Sequence, residues 1–368
     1  MKSNQYDLAV FGSTPSALFL AALMAEDQSR RIVLVHNPAT TVRLMRGLDL
    51  SVGAMTRPET WRRLAEGVEE TRRRLAAGNA GHCLERGDVV MMRSGEAGRA
   101  VLGHLRAVAG AHGLAIERFA APAGPACEEA GIAAHAILFR DAWRLDGDRA
   151  AEGLAGWHGR AGVRRIGIGE VEELLFTRDG DVRMTVGGER VVGGEAVLAD
   201  DEMILEHANE PDFKGVLSVG PNTGFLTEPV AERLPGRVPV VLGEGFAALQ
   251  GASGALAAIC EGPGGPGAAR LLRYLPMFDG ARLAGRSRFV ALGAADGAAA
   301  VGRGKTRRCW IVGGLGETGF FLMPGLARFI AGRPSADEKA YWHARALTRD
   351  PGAPVADVGV PHTAGLAA

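Results

Sequence analysis

A ten-residue stretch near the amino terminus, LAVFGSTPSA, combines residue types that bind phosphate groups. Apolar residues lead into a single glycine, and a short polar stretch then opens an apolar helical pattern. Amide groups at a helix N terminus donate hydrogen bonds to an anion, and the helix dipole favours its negative charge. The order of strand, glycine turn and helix therefore predicts a dinucleotide-binding unit. Its candidate cofactor-binding residues are Gly12, Ser13, Thr14, Pro15 and Ser16.

This turn departs from the usual glycine pattern of dinucleotide sites. Gly12 fills the first glycine position, whereas Thr14 stands at the second, where the pyrophosphate approaches the backbone, and Ala17 at the third. The next apolar strand ends in His36 and Asn37, where a carboxylate usually accepts hydrogen bonds from the ribose. We include both residues among the candidates for cofactor binding. Because neutral groups make weaker hydrogen bonds than a charged acceptor, these changes are expected to weaken binding.

A second glycine-rich turn lies near the other end of the chain, between the apolar strand Cys309–Gly313 and the apolar helix Leu322–Ile330. Backbone amides at the start of such a helix stabilise negative charge on a bound group. The alternative is a tight connection that needs glycine only for its backbone dihedral angles. The candidate cofactor-binding residues of this turn are Gly314, Gly316, Glu317, Thr318 and Gly319.

Two adjacent carboxylates follow a third apolar run, Ala196–Ala199. These residues, Asp200 and Asp201, stand where a strand of the predicted sheet ends. Carboxylates at this position would repel a pyrophosphate unless they were solvated or paired. They are therefore a further departure from a standard dinucleotide site.

The amino-acid composition of the chain argues against several classes of binding partner. The chain has 368 residues, with 42 basic and 42 acidic side chains, so its charge favours neither nucleic acid nor an anionic membrane. No apolar run approaches the ~18 residues that a membrane-spanning helix needs. The four cysteines lack ligand spacing, which predicts reduced thiols and no metal site. The polar start MKSNQYD lacks the features of a signal peptide, so we expect a cytoplasmic protein.

The elements that position these residues follow from hydrophobic periodicity. A strand at Tyr6–Gly12, a helix at Pro15–Glu26 and a strand at Arg31–His36 have the spacing of a βαβ unit, which predicts a parallel sheet. Alternating runs from Val171 to Val192, broken by Asp-Gly and Gly-Gly turns, predict an antiparallel meander. The alanine-rich stretch Ala247–Cys260 predicts a helix.

Three segments of the chain together resemble the D-amino-acid-oxidase and glycine-oxidase type of FAD-dependent oxidoreductase. They are Tyr6–Ala25 followed by RIVLVHN, Val171–Asp201, and Ala295–Gly332 with its Asp-Gly, strand, glycine-rich loop and last helix. They occur in the order found in that family and cover somewhat under a third of the chain. The resemblance implies FAD as cofactor, with the second glycine-rich turn on the pyrimidine side of the flavin.

The fold class expected from this resemblance is α/β, with an FAD-type Rossmann-like parallel sheet lobe and a second, sheet-based substrate lobe. The FAD-type lobe is expected to be discontinuous in sequence, and the C-terminal segment is expected to be a tail. The expected boundaries are 1–80, 141–210 and 300–335 for the FAD-type lobe, 81–140 and 211–299 for the substrate lobe, and 336–368 for the tail.

The resemblance also bears on function. In such enzymes the flavin accepts the hydride and the protein orients the substrate, so no catalytic residue is assigned. The arginine that the amino-acid oxidases use for the substrate carboxylate falls on Ala291, with Arg286 and Arg288 nearby. Our first hypothesis is an FAD-dependent oxidoreductase that oxidises a C–N or C–H bond of a small metabolite. The alternative is a non-catalytic accessory or partner-binding protein on the same fold, with a possible protein partner and with weakened or lost FAD binding. A third hypothesis is an enzyme that uses only a nicotinamide cofactor.

Overall fold

The structure is a computed structural model that describes residues 4–37, 48–53, 58–93, 95–119, 135–231, 237–241, 246–251, 253–262, 281–294, 296–306 and 308–350. The α-helices of this part of the chain are α1 (Pro15–Gln28), α2 (Pro58–Ala77), α3 (Gly95–Ala111), α4 (Gly147–Ala161), α5 (Asp201–His207), α6 (Glu210–Phe213), α7 (Gly319–Ile330) and α8 (Ala336–Ala344). Short 3₁₀ turns span Gly81–Cys83, Ile168–Glu170 and Gly316–Thr318. None of the described helices is long and apolar enough to cross a membrane.

The described strands form three sheets, of four, six and eight strands. In chain order they are β1 (Asn4–Tyr6), β2 (Leu8–Phe11), β3 (Ile32–His36), β4 (Leu84–Arg93), β5 (Ile116–Phe119), β6 (His135–Leu145), β7 (Arg164–Gly167), β8 (Val171–Phe176), β9 (Val182–Val186), β10 (Glu189–Gly193), β11 (Ala196–Leu198), β12 (Leu217–Thr227), β13 (Arg237–Val241), β14 (Phe246–Gln250), β15 (Leu256–Glu261), β16 (Leu283–Ala294), β17 (Ala300–Arg303) and β18 (Trp310–Gly313).

The six-stranded sheet has the order β17-β18-β11-β2-β3-β7 and is parallel except for β17. Its inner strands are short apolar runs because helices cover one face and a second sheet covers the other. Leu198 lies opposite both Phe11 and Ile311, so β2, β11 and β18 end at the same edge. The expected α/β fold with a parallel sheet is thereby confirmed.

The expected single strand at Tyr6–Gly12 is divided at Asp7. Residues before the division pair with β10 in the four-stranded meander sheet, and those after it pair with β3 and β11. The Asp7 carboxylate accepts a hydrogen bond from the backbone N–H of Arg31, and this contact holds the bend at the start of β3. One run of sequence therefore supplies strands to two sheets.

Helix α1 lies at the centre of the layer on one face of the parallel sheet. Its residues from Ala17 to Met24 have almost no exposed surface, and α4 and α7 pack on either side of it. The Phe19 ring stacks on Phe320 with 4.9 Å between centroids and also packs against Trp157. A helix that is apolar all round is stable only when it is enclosed in this way.

The eight-stranded sheet has the order β16-β12-β15-β14-β13-β4-β6-β5. The expected helix at Ala247–Cys260 is wrong, because this stretch forms most of the antiparallel hairpin β14–β15, with Phe246 opposite Cys260. Gly254 adopts a φ of 88° in the hairpin turn, a conformation that a helix cannot contain. Alanine-rich sequence favours helix locally, but pairing with neighbouring strands decides the outcome here.

The segment expected to be a tail contains helix α8. Helix α8 begins with a capping box, in which the Ser335 hydroxyl accepts from Glu338 N–H and the Glu338 carboxylate accepts from Ser335 N–H. Beyond this helix, the Arg349 guanidinium forms a two-point ion pair with Asp296. Residues 351–368 lie outside the described part of the chain.

Candidate cofactor site

The first glycine turn joins the end of β2 to the start of α1. A Cβ atom at Gly12 would lie 2.4 Å from the Ala17 Cβ, so only glycine permits this approach of turn and helix. Thr14 is extended and caps α1, because its Oγ1 accepts from the Ala17 N–H at 3.3 Å. Pro15 occupies the first turn of the helix, where it has no N–H to satisfy. The backbone therefore forms the predicted order of strand, glycine turn and helix, with Thr14 as the helix cap.

An amide of this turn is already bonded to a carboxylate of the protein. The Ser13 N–H donates to Asp200 Oδ2 at 2.6 Å, and the other carboxylate oxygen, Oδ1, accepts from the Met203 N–H at 2.9 Å at the start of α5. Asp200 is brought here because β11 lies beside β2 in the sheet. The carboxylate that was expected to repel a pyrophosphate is thus paired with one backbone amide of the turn and one of α5.

The neighbouring Asp201 has a different role. Its Oδ2 accepts from the Leu292 N–H at 2.9 Å and so ties α5 to strand β16 of the eight-stranded sheet. The two adjacent carboxylates therefore reach different parts of the fold, and Asp200 is the one that contacts the glycine turn. No pattern in the sequence distinguishes them, because only the direction of each side chain separates their roles.

The end of β3 lies beside the turn. The Asn37 N–H donates to the Ser13 Oγ at 2.8 Å, which links the two neighbouring strand ends. The His36 side chain is buried, and its Nδ1 has no hydrogen-bond partner among the described residues. Burial, with a further contribution from the charge of Arg165, lowers the pKa of His36. A neutral imidazole therefore stands where the cofactor's ribose usually meets a carboxylate.

The second glycine turn follows β18, at the same edge of the sheet as the first. Gly314 and Gly316 have φ values of 62° and 57°, which lie in the left-handed region that favours glycine. A Cβ at Gly319 would lie 2.4 Å from the Leu315 Cβ. The Glu317 carbonyl accepts from the Leu50 N–H at 2.6 Å, and Thr318 is buried. These glycines satisfy backbone geometry, whatever the turn binds.

A carboxylate that the sequence analysis missed lies at the start of α7. Asp49 accepts a hydrogen bond from the Phe320 backbone N–H, and burial raises the pKa of its carboxyl to about 7. Its own carbonyl accepts from the Leu145 N–H, so the segment 48–53 is held between β6 and the glycine turn. No periodic pattern surrounds Asp49, and a single acidic residue among glycine and leucine gives no signal of this role.

Candidate substrate-orienting residues lie on β16. Thr223 pairs with Arg288, and the Arg286 guanidinium lies 5.8 Å from the Phe225 ring centroid. Side chains alternate along a strand, so Arg288 shares a face with Leu292, which packs in one core cluster with Leu217. A Cβ at Gly313 or Gly314 would lie about 3 Å from Leu217 side-chain carbons. Arg288 therefore lies on the face of β16 that is turned towards the second glycine turn.

The backbone geometry of the two glycine turns is compatible with FAD. The backbone N–H groups that would bind it are only partly available. The two glycine turns share one edge of the sheet, and Gly12 permits close packing of turn and helix. The Ser13 N–H and the Phe320 N–H, in contrast, both donate to carboxylates of the protein. A pyrophosphate at the first turn would have to replace Asp200 at the Ser13 amide.

No family model matches the chain, and no curated protein matches it in sequence. Solved structures match its fold at low identity. The L-proline dehydrogenase of P. horikoshii has a TM-score of 0.70 at 12% identity, over 92% of this chain and 97% of that one. The glycine oxidase of Geobacillus kaustophilus has a TM-score of 0.67 at 14% identity, over 94% of this chain and 99% of that one. The L-amino acid deaminase of Proteus vulgaris has a TM-score of 0.67 at 13% identity, over 94% of this chain and 97% of that one. The resemblance noted in the sequence is thereby confirmed at the level of fold.

Proposed function

We propose that this chain, which has the fold of the amino-acid oxidases and dehydrogenases, is an FAD-dependent oxidoreductase that oxidises a C–N or C–H bond of a small metabolite. The observation that carries the proposal is the meeting of two glycine turns at one edge of a parallel sheet, after β2 and after β18. Ligands of open α/β sheets bind outside the carboxyl ends of the strands. A dinucleotide lying across this edge would reach both turns.

Each candidate residue has a defined task in this proposal. The turn from Gly12 to Ser16 would hold the pyrophosphate, and His36 and Asn37 would lie at the ribose. The second turn would lie against the flavin ring, with Gly314, Gly316, Glu317, Thr318 and Gly319 as its residues. When bound, the flavin supplies the hydride acceptor. The protein's own residues bind and orient the substrate beside it and exclude water from the site.

The proposed binding of FAD is reversible. Loss of a charge-assisted hydrogen bond weakens binding by about 1–3 kcal/mol, and this chain replaces the ribose carboxylate with the neutral His36. Asp200 adds a negative charge that already holds the Ser13 amide. We therefore expect the purified protein to carry less than one FAD per chain and to lose it on dialysis.

The substrate is proposed to differ from an ordinary amino acid. Ala291 occupies the position that the resembled oxidases use for the carboxylate-binding arginine, and it lies opposite Gly220 on β12. Neither residue can pair with a carboxylate through its side chain. Arg288, three residues before Ala291 and on the face of β16 turned towards the second glycine turn, is the proposed contact for a polar or anionic group of a small metabolite.

A second candidate function is favoured by the contact between Asp200 and Ser13. A turn whose amide is satisfied by the protein itself needs no ligand to be stable. This observation supports a non-catalytic accessory protein that uses the same fold to bind a protein partner. The cytoplasmic location expected from the polar amino terminus stays a prediction under either function.

The two functions differ in the visible absorption spectrum of the purified protein. The proposed enzyme has flavin absorption bands that fall on dialysis and return when FAD is added, and its melting temperature rises in excess FAD because the ligand binds the native state. Addition of NAD instead of FAD serves as the control for the nicotinamide-only reading. A colourless protein with an unchanged melting temperature in excess FAD overturns the proposed enzyme and leaves the accessory function.

A further inference from the structure

We propose, building on the proposed function, that Asp200 competes with the cofactor inside its own site and thereby sets the affinity for FAD. Its carboxylate holds the backbone amide of Ser13, the residue that follows Gly12 in the first glycine turn. A pyrophosphate that approaches this turn must displace the carboxylate or bind beside a like charge. Both displacement of Asp200 and binding beside its charge lower the affinity for FAD. The glycine motif by itself predicts neither effect.

The contact between Asp200 and Ser13 is buried. The two residues have 6% and 3% of their surface exposed, and the N–O distance is 2.6 Å. Water therefore competes poorly for the Ser13 amide, and the hydrogen bond is charge-assisted. A ligand that takes this amide leaves the buried Asp200 carboxylate without one of its backbone donors. The loss opposes binding even where the ligand restores the bond to Ser13.

The position of Asp200 is fixed by its neighbours. The Ala199 N–H donates to the Phe11 carbonyl at 2.8 Å, which holds the end of β11 against β2. The second carboxylate oxygen caps α5 through the Met203 N–H. Rotation of the side chain away from Ser13 therefore also disturbs the cap of α5. The carboxylate is held ready at the turn whether or not a cofactor is bound.

A second observation at the adjoining strand end points to a ligand. His36 has 8% of its surface exposed, and its Nδ1 has no partner among the described residues. A buried polar atom without a partner costs free energy unless a ligand or water satisfies it. The site thus contains, at the end of β3, the His36 Nδ1 that lacks a partner in the described part of the chain and, at the first turn, a position for an anionic group that the Asp200 carboxylate occupies. This combination fits a dinucleotide that binds reversibly, rather than one that is permanently bound.

The test uses three single variants of the full chain. Asp200→Asn keeps the shape and an oxygen acceptor for the cap of α5 while it removes the charge. Asp200→Ser keeps a good N-cap residue but is too short to reach Ser13. Asp201→Asn removes the same charge one residue away, where the carboxylate contacts Leu292 and not the turn. Circular dichroism and the melting temperature without FAD show that each variant is folded.

FAD is titrated into wild type and variants while the quenching of flavin fluorescence is measured. We expect Asp200→Asn and Asp200→Ser to lower the dissociation constant by about 10- to 100-fold, the effect of releasing one charge-assisted hydrogen bond, and Asp201→Asn to change it less than about twofold. Added inorganic pyrophosphate is expected to compete with FAD more strongly in the two Asp200 variants than in wild type.

The possible outcomes separate this inference from the proposed function. Equal dissociation constants in wild type and all three variants overturn the competition and leave an FAD-binding protein. An equal gain in Asp201→Asn also overturns it, because net charge then explains the effect. FAD binding by the Asp200 variants alone supports the competition and overturns FAD binding by the wild type. Absence of binding in every form overturns both.

Discussion

Asp49 accepts a hydrogen bond from the backbone amide of Phe320, in the first turn of α7. Asp200 makes the equivalent contact with the Ser13 amide before α1. Each of the two helices that follow a glycine turn therefore has a carboxylate of the protein at its start. Both contacts satisfy a backbone amide at a helix start in the absence of a ligand, but at Asp49 burial outweighs this contact and raises the pKa of the carboxyl.

Asp49 should make stability depend on pH. Its folded pKa of about 7 lies above the usual value for an aspartate, so the folded chain holds this proton more tightly than the unfolded chain. The contribution of Asp49 to the free energy of unfolding is therefore largest below about pH 4 and falls as the pH rises to about 7. Asp49→Asn removes this titration. We expect the melting temperature of the variant, relative to wild type, to increase between pH 5 and pH 8. A constant difference over that range would show that the folded pKa of Asp49 is ordinary.

Thr14 is predicted to limit FAD binding at the first turn. Thr14→Gly removes the methyl and hydroxyl groups at the position where the pyrophosphate meets the backbone, so the dissociation constant for FAD should fall. The same substitution should slightly destabilise the protein, because Thr14 caps α1 through the Ala17 N–H. Replacing such a cap by glycine lowers stability by about a few tenths of a kcal/mol. Thr14→Ser keeps the cap and loses only the methyl group. Equal affinity of Thr14→Gly and wild type would show that the side chain does not obstruct the ligand.

Gly12 is predicted to be needed for packing as well as for any ligand. In Gly12→Ala the new Cβ would lie 2.4 Å from the Ala17 Cβ, and we expect unfolding in urea to show a loss of about 1–3 kcal/mol. Gly103→Ala on α3 is the control, because a Cβ there meets no atom within 4 Å. It should stabilise the helix by about 0.5–1 kcal/mol. Ala17→Gly should reduce the cost of Gly12→Ala. Equal losses with and without Ala17 would refute the clash.

The ion pair between Arg349 and Asp296 is predicted to hold the end of the described chain against the segment that leads to β17. Both side chains are 6% exposed, and Arg349 also donates to the carbonyls of Ala298 and Ala299. Arg349→Met should cost about 3–5 kcal/mol in urea unfolding, because it removes the cation from a buried carboxylate.

Lys214→Met provides the matched control for this variant. The ammonium of Lys214 pairs with Glu210 at 2.7 Å, but the two side chains are 70% and 65% exposed. Its loss should therefore cost no more than about 1 kcal/mol. Similar losses of unfolding free energy in the two variants would mean that the ion pair of Arg349 is as weak as an ion pair on the surface.

The sequence by itself determined the local units of this protein. The run Leu8–Phe11, the single glycine after it and the apolar pattern from Pro15 predict strand, turn and helix, and these elements form as expected. A strand at Cys309–Gly313, followed by glycines, was predicted for the same reason, and the strand forms at Trp310–Gly313. Periodicity and backbone freedom act over a few residues, so the chain shows them without its neighbours. The D-amino-acid-oxidase type of fold followed because these units occur in a particular order.

Only the tertiary structure decided which side chains meet. Ser13 and Asp200 come together because β2 and β11 are adjacent in the sheet, and no local pattern contains that strand order. Asp49 reaches Phe320 for a similar reason, across most of the chain. The stretch Phe246–Glu261 forms a hairpin whose two strands also pair with β13 and β12, which lie outside the stretch. Charge and hydrogen bonding act through space, so the state of this candidate site depends on contacts that exist only in the folded chain.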